Sequence, residues 1–181
     1  MRAGHWAAAL AVAVWAGAAQ AQVYWVGASW GTSWEISPAA APDTSLLHSS
    51  DGAPALFAAL PLNEETLLRL RVGDLPHAAL YSGMAWPGRL RSYTIGVDYL
   101  FRSVFGQTLL SAGLGSYDLF LKAKTPPPGV EGSKFGWYLG VGEWFIITRR
   151  TRLTLELTGH QTQHDGHPKF LAFNVGLAFG L

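Results

Sequence analysis

Cysteine is absent from this 181-residue chain, which excludes disulfide frameworks and thiolate metal sites. Charge is scarce as well. Only 14% of the residues are Asp, Glu, Lys or Arg, where an ordinary soluble domain carries about 25%. Beyond residue 21 no apolar run reaches the roughly 20 residues a membrane helix needs, and few windows hold a 3.6-residue period for more than two turns. No basic block offers itself to a nucleic acid. Gly-rich phosphate loops, H-E-x-x-H and G-x-S-x-G are all missing, so neither a cofactor nor a metal is expected. Aromatics, at 13%, and glycine, with 21 residues, are plentiful. A chain so poor in charge and rich in aromatics either buries almost everything or exposes apolar surface to something other than water.

The first residues have the order of a secretory leader. Arg2 and His5 precede an apolar run over residues 6–18, followed by Ala19-Gln20-Ala21, a small-residue cleavage site of the A-x-A type. Residues 1–21 are therefore expected to be a signal peptide and residues 22–181 the mature domain. Removing Arg2 from the 13 basic residues leaves 12 against 12 acidic ones, a formally neutral chain long enough for one domain.

Hydrophobicity in the mature part alternates with period two. In residues 91–102, Tyr93, Ile95, Val97, Tyr99 and Phe101 oppose Ser92, Thr94, Gly96 and Asp98. The same design recurs in residues 66–74, 152–160 and 170–181. With weaker segments added, eight strands are expected over 22–36, 54–62, 66–79, 89–102, 106–122, 135–148, 151–163 and 170–181. Most exceed the usual 5 to 6 residues of globular strands and are long enough to cross a bilayer at a tilt. Parity slips in the sixth, where Glu143 shares a face with Leu139 and Val141 unless a bulge intervenes. Three connections look tight, around residues 63–65, 103–105 and 149–150, and four look long, at 37–53, 80–88, 123–134 and 164–169. They take turns, as in an all-β, antiparallel up-and-down meander.

Period two does not say which face points inward. A soluble, lipocalin-like binding barrel would put the greasy face inside and leave a Gly-rich face, with Gly96, Gly176 and Gly180, in water, where such strands are poorly supported. A membrane barrel puts small and charged residues inside, where eight strands leave just enough room for side chains. Arg69, Arg71, Asp98, Arg152 and Glu156 then share the lumen as an interlocking charge network, since lone buried charges would be prohibitive. Trp25, Trp30, Trp34, Tyr93, Phe101, Trp137 and Trp144 fall toward segment ends, where aromatic girdles sit. Gly113-Leu114-Gly115 and Gly140-Val141-Gly142 read as packing positions in strands, with no helix to follow them.

The segment from Asn174 to Leu181 resembles the C-terminal β-signal of bacterial outer-membrane proteins. Its polar position is Asn174, its glycine Gly176, and its closing hydrophobics Phe179 and Leu181, with Leu where many members end in Phe. The whole mature chain resembles the OmpA/OmpX class of small eight-stranded barrels. That resemblance implies outer-membrane lipid and the barrel-assembly machinery as partners, with the last strand closing against the first. It names no extracellular ligand.

Two constellations bear on chemistry. His160, His164 and His167 with Asp165 form a histidine-rich stretch, but this spacing on a strand end and loop fixes no metal geometry, and a solvated loop is the expectation. His160-Gln161-Thr162 is similar to the His-x-Ser pair of outer-membrane lipid A deacylases: a hydroxyl two residues from an imidazole on a strand lies on the same face. Thr stands where that family has Ser, no carboxylate occurs in residues 170–181, and Asp165 is the nearby substitute. His160 also shares parity with Glu156 and so should face the lumen. The expected function is a non-catalytic outer-membrane barrel in a structural or surface-interaction role. A deacylase-like enzyme using His160, Thr162 and Asp165 is the alternative.

Overall fold

The computed structural model describes residues 23–36, 52–82, 84–125, 127, 130–165 and 167–181. The signal-peptide reading of residues 1–21 lies outside them, as does most of the first long connection. Eight strands follow one another: β1 (Trp25–Glu35), β2 (Ala55–Pro61), β3 (Thr66–Tyr81), β4 (Met84–Arg102), β5 (Gly106–Leu121), β6 (Gly132–Thr148), β7 (Thr151–Thr162) and β8 (Lys169–Gly180). Each pairs antiparallel with the next, and β8 pairs with β1 over the whole of β1, so the sheet closes into a barrel.

The register defines the barrel's shape. Stepping from strand to paired strand, Trp25 leads through Ala59, Arg69, Gly96, Gly113, Tyr138, His160 and Phe170 back to β1 at Glu35, ten residues further along. With that stagger, eight strands lean about 40° from the axis, and each residue adds about 2.5 Å of height. The outward row of β8 from Leu171 to Leu181 thus spans about 25 Å, the height of the apolar band of an outer-membrane barrel.

Alternation decides what faces where. Ile95, Val97, Leu110, Leu114, Leu139, Val141, Val175 and Leu177 stand on the outside, each 40% exposed or more, while Arg69, Asp98, Glu156, Thr154 and Asn174 are buried inside. The interior is narrow enough that large side chains need glycines opposite them. A Cβ on Gly96 would overlap the Tyr138 hydroxyl, one on Gly113 the Tyr138 ring, and one on Gly136 the Tyr117 ring.

Several sequence expectations are corrected. The connection over residues 80–88 is not a long loop: β3 and β4 stay paired out to Tyr81↔Met84, leaving a tight link with Ser82 at φ 50°. Long and short connections therefore do not alternate strictly. Pro76 and Pro87 lie within β3 and β4 near the ends of the neighbouring strands. Asp74 N bonds Pro54 O and Lys122 N bonds Pro87 O. The ladder with β2 stops at Gly73, so the edge position of Pro76 faces no paired strand, while Pro87 sits where the ladder with β5 ends and its carbonyl takes the bond from Lys122 N. Proline on such an edge also blunts unwanted strand pairing.

In β6 there is no bulge before Glu143, which faces outward with Leu139 and Val141; the irregularity lies between Ile146 and Thr148. Trp25 and Trp144 do not join an aromatic girdle. Their parity turns them into the lumen, where they meet edge-on at 5.5 Å.

Candidate functional site

The lumen is filled in layers. Near the tight-turn end, Phe57, Leu67, Leu100, Leu109, Trp144 and Ala178 form an apolar plug with Trp25 against it. Near the other end Leu75, Leu90, Tyr117, Leu119 and Phe170 form a second one. Between them lies a charge layer. Arg69 Nε is 2.6 Å from Asp98 Oδ2, and its Nη1 donates to Glu156 Oε1 at 2.7 Å. Arg71 Nη1 donates to the other Glu156 oxygen at 3.1 Å, and Ser111 Oγ donates to Asp98 at 2.6 Å. The Arg69 guanidinium also lies over the rings of Phe57 and Trp144, at 4.8 and 5.7 Å. Two cations thus meet two anions, and the layer is neutral.

Four of the five residues proposed from parity come together there; Arg152 does not. It sits half-buried at the tight-turn rim, donates from Nη1 to Thr148 O at 2.6 Å, and covers the Trp25 ring at 4.8 Å. Parity gives a side chain's face but not its height, and Arg152 is four residues below Glu156 on β7, about 10 Å along the axis. Asn174 was singled out only within the terminal motif. With its amide oriented to satisfy both ends, it donates to Ala53 O at 2.7 Å and accepts from Arg71 Nη2 at 3.2 Å, tying β8 and the chain entering β2 to the charge layer. Gly176 allows the close approach of β8 to β1 at Ser29, while Phe179 and Leu181 stand on the outside.

The residues of the deacylase-like reading are not assembled as that chemistry needs. His160 is buried in the lumen, with Nδ1 2.9 Å from the Tyr117 hydroxyl and Nε2 3.0 Å from Thr158 Oγ1. Thr162 is paired with His164 instead, and Asp165 is exposed. Among the described residues, no group of three His, Cys, Asp or Glu side chains is placed to hold a metal.

His164 departs from the expected solvated loop. It turns inward, 4% exposed, with Nδ1 3.1 Å from Thr162 Oγ1 and Nε2 3.2 Å from Gly132 O. It thereby joins the start of β6 to the end of β7. Desolvation lowers its pKa below the ordinary 6.5, so the unfolded chain binds the proton more readily than this folded loop does. The stability it contributes is present above that ordinary value and is lost as the pH falls below it. Acidification from pH 8 to pH 5 is expected to speed protease cleavage at residues 163–168 in the wild type and to leave His164→Gln indifferent to pH over that range.

A closed eight-stranded antiparallel barrel with an outward apolar belt and a side-chain-filled lumen has the fold of the OmpA/OmpX class of small outer-membrane barrels. Solved structures agree. Neisserial surface protein A (NspA) superposes with a TM-score of 0.65 at 12% identity, covering 86% of this chain and 96% of its own. The N-terminal β-barrel domain of Pseudomonas aeruginosa OprF gives 0.57 at 15% identity, with 90% and 100% covered. Ail, the attachment invasion locus protein of Yersinia pestis, gives 0.52 at 14%, also with 90% and 100% covered. No protein-family model matches the chain, and no curated protein does. At such identities the shared property is the fold.

Proposed function

We propose that this chain is a non-catalytic barrel of the bacterial outer membrane with a structural or surface-interaction role, sealed against solutes. The observation that carries the reading is the layered lumen, in which, among the described residues, two apolar plugs enclose a neutral charge layer. The surface role is supported by the β3–β4 ribbon, which continues past the ends of both neighbouring strands. Residues 75–88 contain no Asp, Glu, Lys or Arg, and Met84 is 58% exposed. The proper test is a pair of measurements on one preparation. Reconstituted protein should give no stable conductance steps in planar bilayers, and lipid A from expressing cells should keep all its acyl chains. Stable conductance would make the protein a pore, and loss of an acyl chain that disappears in His160→Ala would make it a deacylase.

Export and assembly belong to the same reading. Cleavage after Ala21 would start the mature protein at Gln22, and the barrel-assembly machinery would take the segment from Asn174 to Leu181 as its signal. Phe179 pairs with Val26 on one side and Thr151 on the other. Deleting residues 179–181 is therefore expected to leave export intact and to abolish the heat-modifiable gel shift of the closed barrel. A truncated protein that still shifts would overturn this role for the segment.

A further inference from the structure

One charged side chain stands on the outward wall where hydrocarbon is expected. Among the described residues, Glu143 is the only Asp, Glu, Lys or Arg on an outward-facing strand position between the Asp74 and Arg91 row and the tight turns. Leu110, Val141 and Ile146 nearby are each 44% exposed or more. It lies about 3 Å below its cross-strand partner Leu155 and within about 5 Å of Tyr99, Phe145 and Phe179, on the periplasmic side of the belt's middle, where a headgroup drawn in past the lower aromatic girdle reaches it.

The carboxylate is fixed there by two hydroxyls. Ser103 Oγ donates to Oε1 and Thr108 Oγ1 donates to Oε2 at 2.7 Å. Ser103 Oγ in turn accepts from Gly106 N at 3.0 Å, so its single proton is committed to Glu143. Each carboxylate oxygen keeps a free lone pair, and two neutral hydroxyls do not cancel a full charge. Among the described residues no cation makes an ion pair with Glu143. Holding an unpaired carboxylate beside hydrocarbon is costly. A counter-charge supplied by the surrounding bilayer removes that cost.

We propose that Glu143, oriented by Ser103 and Thr108, is a headgroup site on the outer wall of the barrel that takes the primary ammonium of a zwitterionic phospholipid. A primary ammonium brings a charge and three N–H donors to the two free lone pairs; a quaternary ammonium brings the charge but no donor. The acyl chains would lie on Leu110, Val141 and Leu155, the outward neighbours of Glu143.

The site rests on the bilayer-spanning reading, and the experiment separates the two. Wild-type protein is placed in nanodiscs of equal phosphatidylethanolamine and phosphatidylcholine with identical acyl chains, and the lipids retained per barrel are counted by native mass spectrometry. Enrichment of phosphatidylethanolamine by about fivefold is expected, the upper end for an interfacial ion pair. Glu143→Gln should bring the ratio to unity, and Thr108→Val, which keeps the charge but frees one oxygen, should lower it partway. An inserted, heat-modifiable wild type with no preference, or a preference that survives Glu143→Gln, overturns the headgroup site and leaves the membrane barrel standing. Failure of the wild type to insert overturns both. Capture of a protein lysine by Glu143 in native membranes, with no lipid preference in nanodiscs, would assign the carboxylate to a protein partner instead and reject the lipid site.

Discussion

Glu156→Ala is expected to destabilise the barrel by about 3–5 kcal/mol, the range for breaking a buried ion pair from one side. Glu156 receives both Arg69 and Arg71. Without it, Arg69 keeps Asp98 while Arg71 keeps only the Asn174 amide. The loss comes less from missing attraction than from a guanidinium left buried without a partner. The double variant Glu156→Gln with Arg71→Met should recover a large part of it, since removing both partners leaves no orphaned charge. Arg152→Ala should cost about 1 kcal/mol or less, because that side chain packs on Trp25 at the rim and pairs with no carboxylate. Urea unfolding from vesicles at pH 7.5 measures all three. Equal costs for Glu156→Ala and Arg152→Ala would show that the charge layer does not hold the lumen together.

The second large effect concerns the outer wall. Leu155 faces outward on β7 near the middle of the apolar belt, and its chain neighbour Thr154 is fully buried inside. In a Glu143→Gln background, used for both substitutions so that the cross-strand carboxylate cannot pair with the new charge, Leu155→Arg places a guanidinium against hydrocarbon near the middle of the belt and is expected to cost about 2–4 kcal/mol. The same substitution at Gln161, further up the outward row of the same strand, should cost about 1 kcal/mol or less, because the penalty falls toward the interface. A barrel with an aqueous exterior would show no such gradient along β7, so comparing Leu155→Arg and Gln161→Arg by urea unfolding distinguishes a depth effect from a merely unwelcome charge.

Much of this architecture is legible in the sequence, because period two is a local signal and a closed barrel repeats it eight times. The rows in residues 91–102, 152–160 and 170–181 divide into two faces without any knowledge of partners, and once the small and charged face is taken as the inner one, four members of the charge layer follow from parity. Height is not local. It depends on the ten-residue stagger around the barrel, which is a property of all eight pairings together. Parity therefore gives Arg152 its face but no level, and Trp25 and Trp144, whose place near segment ends suggests a girdle, are turned inward by their parity. The connection at residues 80–88 was misread for another reason. How far β3 and β4 stay paired beyond the ends of their neighbours cannot be read from the segment itself. His164 was hidden because a loop histidine looks solvated until Gly132 and Thr162 are brought beside it.

The claim underlying the rest is that the apolar face of this barrel meets lipid. The chain has no cysteine, so single spin labels at Thr154→Cys and Leu155→Cys can be introduced without background. In reconstituted bilayers, the label at Leu155 should be relaxed strongly by oxygen, which concentrates in hydrocarbon, and weakly by a water-soluble nickel chelate. The label at Thr154 should respond weakly to both. Strong nickel relaxation at Thr154, with neither agent reaching Leu155, would place the apolar face inside and contradict the membrane barrel.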